Sequence, residues 1–297
     1  MLIDNEAIRR IARTLIAAAL AVGASGCAAP LAHMQVPVPR TTRLPMYDST
    51  REIRVATLAR PGARVPLVLY ATGDGGWHAL DREIFDRLVS WGYPVAGFES
   101  GAYLKTLGFS GETTPVRLAR DFSRIVAFAR DKLGVAEDAP VVLVGLSRGS
   151  GLDVVAASDP ALQRQLGGVV AVALTKEEEH VKHYRRKMGP LPPGAPTREL
   201  VMIDTYNQLR RLGAMPIAVI QSTHDHYLSA ADARGRFGPD TATRRLVAVE
   251  ARSHSFGGAH GVLLDRMHAS LSWICHRLQA PFTEPEAPES AGAKHQP

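Results

Sequence analysis

The chain has 297 residues, enough for one large domain or two small ones, and 45% of them are apolar, which suffices for a sizeable core. Its 35 basic and 29 acidic side chains give a formal charge of +6, scattered along the chain rather than concentrated in blocks. This balance suits contact with an anionic surface such as phospholipid. Only three tryptophans, with no interleaving of aromatic and basic residues, argue against a nucleic-acid reader.

The first 27 residues have the layout of a bacterial lipoprotein signal peptide. Arginines at positions 9, 10 and 13 precede a short apolar run, Leu15–Val22, which is too short for a stable transmembrane span. The following Ala24-Ser25-Gly26-Cys27 resembles a lipobox, so we expect Cys27 to be lipidated. Cleavage to give a soluble secreted protein is the alternative. We therefore expect a periplasmic lipoprotein anchored to a bacterial membrane.

Composition divides the rest of the chain into a tether, a folded domain and a tail. Residues 28–50 are rich in Pro and Thr and are interpreted as a tether, and residues 280–297 are rich in Pro, Glu and Ala and are expected to be disordered. Residues 51–279 form the predicted domain. Because Cys27 belongs to the processing signal, Cys275 has no partner for a structural disulfide.

Strand and helix patterns alternate through the predicted domain. Strands are predicted at Ile53–Ala59 (at the sheet edge), Val65–Ala71, Tyr93–Phe98, from Val141, Gly168–Leu174, Pro216–Gln221 and Leu246–Ala251, and helices at Leu80–Trp91, Thr114–Leu133, after Gly149 and at Ala259–Leu278. The strands are near-continuous runs of Val, Ile, Leu and Ala. This pattern predicts an α/β fold with a mostly parallel sheet covered by helices on both faces.

The stretch Val141–Gly151 carries the pattern around which the domain is organised. An apolar run leads into Gly145-Leu146-Ser147-Arg148-Gly149, and a helical pattern follows. G-x-S-x-G between a buried strand and a helix is typical of a nucleophile elbow, a strained turn that lifts the serine hydroxyl clear of the sheet. The glycines leave room for the tight turn. The pattern predicts Ser147 as a nucleophile, with an ordinary Gly/Ser turn as the alternative.

A nucleophilic serine needs a base, and the base needs an acid to orient it. In the fold that uses this elbow, the chain order is Ser, then Asp or Glu, then His. Asp225 and His254 each follow a predicted strand, so both fall at the carboxyl edge of the sheet. We therefore predict Asp225 as the acid and His254 as the base. His260 is the nearest alternative base, but it falls at the start of the last helix.

His224 and His226 flank Asp225 and, with His254, leave a metal site as a minor alternative. No carboxylate–histidine set of metalloprotease spacing accompanies them. We therefore expect neither a metal nor a cofactor.

The oxyanion of an acyl-transfer intermediate needs two backbone N–H donors. One is predicted at Arg148, the residue after the nucleophile, and the other in the glycine-rich loop after the second strand, at Asp74 or Gly75. A plain glycine-rich turn is the alternative for this loop. Trp77, in the same loop, is a candidate substrate contact. Glu99, which ends a strand at the same edge, could pair with a cationic substrate group or be a solvated loop charge.

Residues 175–213 interrupt the alternation of strands and helices. The segment is charged at Lys176–His180 and rich in Pro and Gly at Gly189–Gly194. We interpret it as an insertion that forms a small cap. Its basic cluster between His180 and Lys187 either binds anionic headgroups or is a solvated face, the more common outcome for a charge run.

Several elements together resemble the VirJ/AcvB-type bacterial virulence proteins, which are α/β-hydrolases of the periplasm. These elements are Gly73-Asp74-Gly75-Gly76-Trp77, Leu80-Asp81, Thr114-Pro115, the G-x-S-x-G motif and His254-Ser255-Phe256. The resemblance extends over roughly residues 52–278. It implies Ser147 as nucleophile, Asp225 as acid and His254 as base. It also implies hydrolysis of aminoacyl-phosphatidylglycerol with release of the amino acid, and a link to envelope fitness or secretion-linked virulence.

The expected function is therefore that of a periplasmic serine hydrolase that cleaves the aminoacyl ester of a membrane phospholipid. The alternatives are a carboxylesterase or lipase of other specificity, a peptidase, and a non-catalytic envelope protein that docks to secretion machinery.

Overall fold

The computed structural model describes residues 38–46, 49–58, 65–110, 114–183 and 199–279. The predicted signal peptide, with Cys27, and the predicted tail of residues 280–297 lie outside the described residues. Among the helices of the described part, none is long and apolar enough to cross a membrane.

A central sheet of eight strands is the main feature of the described chain. The described chain has ten strands, eight of them in this sheet: β1 (Arg40–Met46), β2 (Ser49–Ala56), β3 (Leu67–Ala71), β4 (Val95–Phe98), β5 (Val141–Leu146), β6 (Leu166–Val172), β7 (Glu177–His183), β8 (Glu199–Asp204), β9 (Ile217–Ser222) and β10 (Arg244–Val249). The sheet order is β1-β2-β4-β3-β5-β6-β9-β10. β1 pairs antiparallel with β2, and β2 antiparallel with β4; all other pairings in this sheet are parallel. β7 and β8 form a separate antiparallel hairpin.

The described helices cover the two faces of the sheet unequally. They are α1 (Ala79–Ser90), α2 (Ser100–Ser110), α3 (Pro115–Leu133), α4 (Arg148–Ala157), α5 (Pro160–Gln163), α6 (Thr205–Arg210), α7 (Ala230–Phe237) and α8 (His260–Gln279). Apolar residues of α1 and α8 pack in one core with alternate strand residues, and those of α3, α4, α6 and α7 pack in the other. The predicted α/β class, with a mostly parallel sheet between two helical layers, is confirmed.

The start of α3 follows the prediction from Thr114-Pro115. The Thr114 hydroxyl accepts a hydrogen bond from the N–H of Arg117 at 3.2 Å, and Pro115 occupies the first turn. Gly134 ends the helix in the left-handed conformation, with φ of 64°. A side-chain cap at one end and a glycine at the other satisfy backbone groups that the helix itself leaves unpaired.

The structure corrects the predicted start of the domain. Residues 28–50 are not a tether throughout, since Arg40–Met46 forms the edge strand β1. Proline and threonine dominated the composition there, but alternate residues become progressively buried along β1 until Met46 is 1% exposed. The predicted edge strand from Ile53 corresponds to β2, which is second from the edge because β1 covers it.

The elbow is built by close packing of α4 against the end of β3. A Cβ added to Gly149 would lie 2.1 Å from the carbonyl oxygen of Ala71 and 2.6 Å from that of Thr72. One added to Gly145 would lie 2.4 Å from the carbonyl carbon of Gly149. Since these neighbours are backbone atoms, a side chain at Gly149 would displace the end of β3 and one at Gly145 would displace the start of α4.

Asp153 lies in α4 beneath the elbow and is fully buried. Its two carboxyl oxygens have no hydrogen-bond partner within the described residues. Burial raises the pKa of Asp153 well above its ordinary value. The folded protein therefore holds Asp153 as a neutral carboxylic acid under conditions in which the unfolded chain carries an aspartate anion.

The first prediction concerns Gly149. The substitution Gly149→Ala is expected to lower the free energy of unfolding by more than about 2 kcal/mol, because its Cβ overlaps rigid backbone. Gly235→Ala is the matched control, since Gly235 lies in α7 with no atom within 4 Å of the added Cβ. That change is expected to be neutral or to stabilise by up to about 1 kcal/mol. Urea unfolding of both variants measures the difference, and equal effects would contradict the packing argument.

The second prediction uses the pKa of Asp153. Between its ordinary pKa and its raised folded-state pKa, the unfolded chain releases a proton that the folded chain keeps, so stability falls as pH rises. The slope is up to about 1.4 kcal/mol per pH unit. Asn does not titrate, so the stability of Asp153→Asn lacks this dependence on pH. The free energy of unfolding of Asp153→Asn, relative to that of the unsubstituted protein, should therefore rise as the pH increases from 4. Urea unfolding at pH 5, 6, 7 and 8 tests this; a difference that does not vary with pH would refute it.

Candidate active site

Ser147 lies between β5 and α4 in a backbone conformation that is unusual for a residue with a side chain. Its φ is 51° and its ψ is −114°. Such a conformation costs about 1–3 kcal/mol and persists only when its surroundings enforce it. Here the Ser147 N–H donates to the carbonyl of Val172 at 2.8 Å, and its own carbonyl accepts from the Ser150 hydroxyl at 2.6 Å and the Gly151 N–H at 3.2 Å. The turn is therefore fixed by hydrogen bonds on both sides of the serine.

The structure brings Ser147, His254 and Asp225 together in one hydrogen-bonded chain. Ser147 Oγ lies 2.7 Å from His254 Nε2, and His254 Nδ1 lies 2.6 Å from Asp225 Oδ2. Because an ionised carboxylate only accepts, Nδ1 is the donor to Asp225, which leaves Nε2 to accept the serine proton. The His254 side chain is 16% exposed and the Asp225 side chain 0%. This arrangement is the one that activates a serine for nucleophilic attack.

The Asp225 carboxylate is held by further donors. Oδ1 accepts from the N–H groups of Tyr227 at 2.8 Å and Leu228 at 3.4 Å, and Oδ2 accepts from Gln221 Nε2 at 2.9 Å. Gln221 is fully buried in β9, and its Nε2 also donates to the Leu228 carbonyl at 2.6 Å. Gln221 was not among the residues predicted for the site. The signal was an amide side chain closing an apolar strand four residues before the predicted acid.

The loop that carries His254 is anchored by a buried aromatic residue. Phe256 has a φ of 56° and is fully buried, and its N–H donates to the Ser253 carbonyl at 3.0 Å. The Ser253 hydroxyl accepts from the Gly257 N–H at 3.1 Å. The ring of Tyr227 lies edge-on to the imidazole of His254 with a centroid distance of 4.7 Å. These contacts restrict the imidazole to the orientation that faces Ser147.

The glycine-rich loop after β3 leaves two amides for an oxyanion. The Gly73 N–H donates to Asp81 Oδ1 at 2.9 Å, and the Gly76 N–H donates to the Gly73 carbonyl at 3.1 Å. The N–H groups of Asp74 and Gly75 form no hydrogen bond with the described part of the chain. These are the two residues that the sequence nominated as the second oxyanion donor.

Two buried networks hold this loop in place. On one side, Asp81 Oδ1 also accepts from the Tyr70 hydroxyl at 2.9 Å, and burial raises the pKa of Asp81 although its hydrogen bonds oppose the shift. On the other side, Ser100 at the start of α2 donates through Oγ to the Thr72 carbonyl at 2.6 Å. Its N–H donates to Thr72 Oγ1 at 3.2 Å. Helix α2 was not predicted, so this second support was missed.

An ion pair joins the two segments that contain the predicted oxyanion donors. Arg148 Nε lies 2.8 Å from Asp74 Oδ1, with the arginine side chain 21% exposed and the aspartate 67%. The side chains thus connect the elbow to the glycine-rich loop. Because the pair is largely open to solvent on the aspartate side, we ascribe to it positioning rather than a large contribution to stability.

A cavity of about 620 Å³ opens beside Ser147 and His254. Its charged lining includes Asp74, Arg148, Lys176 and Glu177, and its apolar lining includes Leu80, Leu146, Met202 and Tyr227. Lys176, Glu177 and Met202 belong to the predicted insertion of residues 175–213, whose described parts are the β7–β8 hairpin and α6. Glu177 was predicted only as part of a charge run, and neither Met202 nor Tyr227 was predicted to lie at the site.

The candidate substrate contacts Trp77 and Glu99 lie elsewhere. Both line a second cavity of about 570 Å³, which also contains Arg51, Arg54 and Arg82. The structure does not bring either residue into the cavity that contains Ser147. The reason is local, because Trp77 packs edge-on against Phe85 of α1 and Glu99 lies beneath Gly76.

The three histidines that were alternatives as a base or as metal ligands make other contacts. His224 Nδ1 lies 3.4 Å from Glu250 Oε1, and His226 packs on Tyr227 with ring centroids 4.1 Å apart. His260 is the first residue of α8 and lies 3.7 Å from Glu83 Oε2. Within the ranges that the structure describes, no three His, Cys, Asp or Glu residues are grouped to hold a metal ion.

Comparison with solved structures shows a shared fold at low identity. Est1E from Butyrivibrio proteoclasticus has a TM-score of 0.56 and 9% identity, covering 81% of this chain and 99% of that one. A putative dienelactone hydrolase from Klebsiella pneumoniae has a TM-score of 0.56 and 16% identity, covering 79% and 98%. A monoglyceride lipase from Saccharomyces cerevisiae has a TM-score of 0.54 and 12% identity, covering 81% and 97%.

Comparison of the sequence with known families matches a shorter part of the chain. No curated protein matches the chain. The family model described as bacterial virulence protein VirJ matches residues 66–185, a segment that contains the glycine-rich loop, the elbow and Ser147 but neither Asp225 nor His254. The resemblance to the VirJ family is therefore confirmed over residues 66–185, within a chain that has the α/β-hydrolase fold.

Proposed function

We propose that the chain is a serine hydrolase that cleaves a carboxylic ester through an acyl-enzyme. The observation that carries the proposal is the pair of short hydrogen bonds that joins Ser147 Oγ to His254 and His254 to the buried Asp225. A serine in an ordinary Gly/Ser turn would need neither the strained backbone nor an imidazole oriented by a carboxylate. The VirJ-family match and the α/β-hydrolase fold are consistent with this chemistry.

In the proposed reaction each residue of the site has a defined role. Ser147 Oγ attacks the ester carbonyl while its proton moves to His254 Nε2, and Asp225 stabilises the resulting imidazolium. The amide of Arg148, with that of Asp74 or Gly75, binds the oxyanion. Collapse of the tetrahedral intermediate breaks the ester bond, and the leaving alcohol takes the proton from His254. Water then cleaves the acyl-enzyme by the reverse sequence of proton transfers.

We propose further that the ester is the aminoacyl ester of aminoacyl-phosphatidylglycerol. The cavity beside Ser147 offers the Glu177 carboxylate for the amino group and the Lys176 ammonium for the phosphate, while Asp74 and Arg148 in the same lining pair with each other. A substrate with both charges matches both groups. Glu177 takes the role that the sequence assigned to Glu99, since Glu99 lines the second cavity.

The proposed substrate implies a membrane location. A lipidated Cys27 would concentrate the chain at a membrane of the periplasm, next to a phospholipid substrate. This part of the proposal rests on the sequence of residues 1–27 alone.

The third prediction tests the reaction. Protein purified without residues 1–27 should release free amino acid from liposomes that contain lysyl- or alanyl-phosphatidylglycerol. Ser147→Ala should lower that release by at least about 10³-fold, because it removes the nucleophile. Ser272→Ala, an exposed serine of α8, should leave it within about twofold. Mass spectrometry follows free amino acid and free fatty acid in the same samples.

Other outcomes of that assay separate the alternatives. Fatty-acid release alone would identify a lipase. Release of neither amino acid nor fatty acid would refute aminoacyl-lipid hydrolysis. It would favour another ester, a peptide substrate or a binding role at the envelope, for example with secretion machinery. Release that persists in Ser147→Ala would contradict the mechanism.

The fourth prediction tests recognition of the amino group. Glu177→Gln should raise KM for lysyl-phosphatidylglycerol by about tenfold, equivalent to about 1.4 kcal/mol of lost binding, and change kcat little. The effect should be smaller for an ester without a cationic group. Glu137→Gln, at an exposed position before β5, is the control. Equal effects on charged and neutral esters would exclude an ionic contact at Glu177.

A further inference from the structure

The second cavity is a separate feature of the surface that the proposed reaction does not use. Its volume of about 570 Å³ is close to that of the cavity beside Ser147. It lies between β2, the start of α1 and the glycine-rich loop, and Gly75 lines both cavities. A ligand bound there would therefore contact the loop that contains the predicted oxyanion donors without occupying the site of hydrolysis.

Positive charge predominates in the second cavity. Three guanidinium groups line it, those of Arg51, Arg54 and Arg82, against the carboxylates of Glu52 and Glu99. Glu52 is 64% exposed and lies 3.6 Å from a fourth arginine, Arg43 of β1. The excess of guanidinium groups favours an anion, since arginine presents several N–H donors in a planar fork that matches phosphate oxygens.

Two of these arginines are held in place by the protein itself. The Arg54 guanidinium lies over the Trp77 ring, 4.6 Å from its centroid. Arg51 Nη1 donates to the Ala102 carbonyl at 3.3 Å. Trp77 is itself fixed, because a Cβ on Gly97 of β4 would lie 2.7 Å from its ring. Fixed donors lose less conformational entropy when a ligand binds than mobile surface arginines do.

We propose that the second cavity binds a phosphate group, either as the phosphodiester of a lipid headgroup or as free phosphate. The hydroxyls of Thr41 and Thr50 add neutral donors to the guanidinium groups, and this polar lining does not suit an acyl chain. The site is independent of the proposed esterase reaction, since Ser147 and His254 do not line it.

The fifth prediction tests this site through Trp77. The chain has three tryptophans, so a Trp91→Phe/Trp273→Phe background leaves Trp77 as the sole indole fluorophore. We expect its fluorescence to change saturably with inorganic phosphate, with glycerophosphoglycerol or with phosphatidylglycerol vesicles. Arg54→Gln and Arg82→Gln should each weaken binding at least about tenfold, through loss of a charge-assisted contact. Arg87→Gln, an exposed arginine of α1 outside the cavity, should change it less than about twofold.

The outcomes identify the source of the phosphate or overturn the proposal. Saturation by inorganic phosphate indicates a free phosphate site. Saturation by glycerophosphoglycerol or by phosphatidylglycerol vesicles, but not by inorganic phosphate, indicates a lipid headgroup. Equal binding to galactolipid vesicles, which lack phosphate, would overturn the proposal. So would the absence of a saturable response to every probe, or an equal loss in Arg87→Gln. Ser147→Ala should bind as the unsubstituted protein does, so this result stands apart from any failure of the esterase assay.

Discussion

The approach of α4 to the end of β3 is the constraint on which the candidate site depends. A Cβ on Gly149 would overlap the backbone carbonyls at the end of β3. A Cβ on Gly145 would overlap the backbone of Gly149. Helix α4 can therefore start directly after β5, and Ser147 takes the strained conformation between them. The hydrogen bond from Ser147 to Val172 fixes the turn to β6 as well. The position of the serine hydroxyl is thus a consequence of how three parallel strands and one helix pack.

Two buried aspartates near this elbow show how differently the same side chain can be accommodated. Asp225 accepts from Gln221, from two backbone N–H groups and from His254, so its charge is compensated at both oxygens. Asp153 has no such partner in the described chain, and burial raises its pKa. A buried carboxylate without donors is costly, so the uncompensated one is neutral. The hydrogen bonds of Asp225 also fix the carboxylate that orients the histidine base.

The fold class and the three residues of the hydrogen-bonded chain could be predicted because they depend on local patterns and on chain order. Continuous apolar strands indicate a parallel sheet, and residues that follow such strands meet at one edge of it. This placed Asp225 and His254 beside Ser147 although 107 positions separate Ser147 from His254. Bounds of the predicted strands differ from the observed ones by a few residues, as in β3, which begins at Leu67 rather than Val65.

What could not be predicted depends on contacts between distant segments. The strand β1 has the composition of a linker and becomes a strand because β2 offers it a free edge. The side chains of Trp77 and Glu99 were assigned to the substrate because their positions in sequence are next to the site. Their orientation was decided by packing against α1 and Gly76, which sequence spacing does not reveal. The same holds for Glu177, which only the folded hairpin brings to the cavity.

The glycine-rich loop lies between the two cavities, and Gly75 lines both of them. Gly76 has a φ of 76°, and a Cβ there would lie 3.0 Å from the Glu99 carboxyl group. Trp77 packs where Gly97 leaves room on the sheet. The loop is therefore fixed from the side of the second cavity, while the amides of Asp74 and Gly75 remain available on the side of Ser147. A preformed donor in this loop, together with the amide of Arg148, stabilises a developing oxyanion without reorganisation during the reaction. The packing of Trp77 and Glu99 thus serves the proposed chemistry indirectly, by holding a backbone segment rather than by touching the substrate.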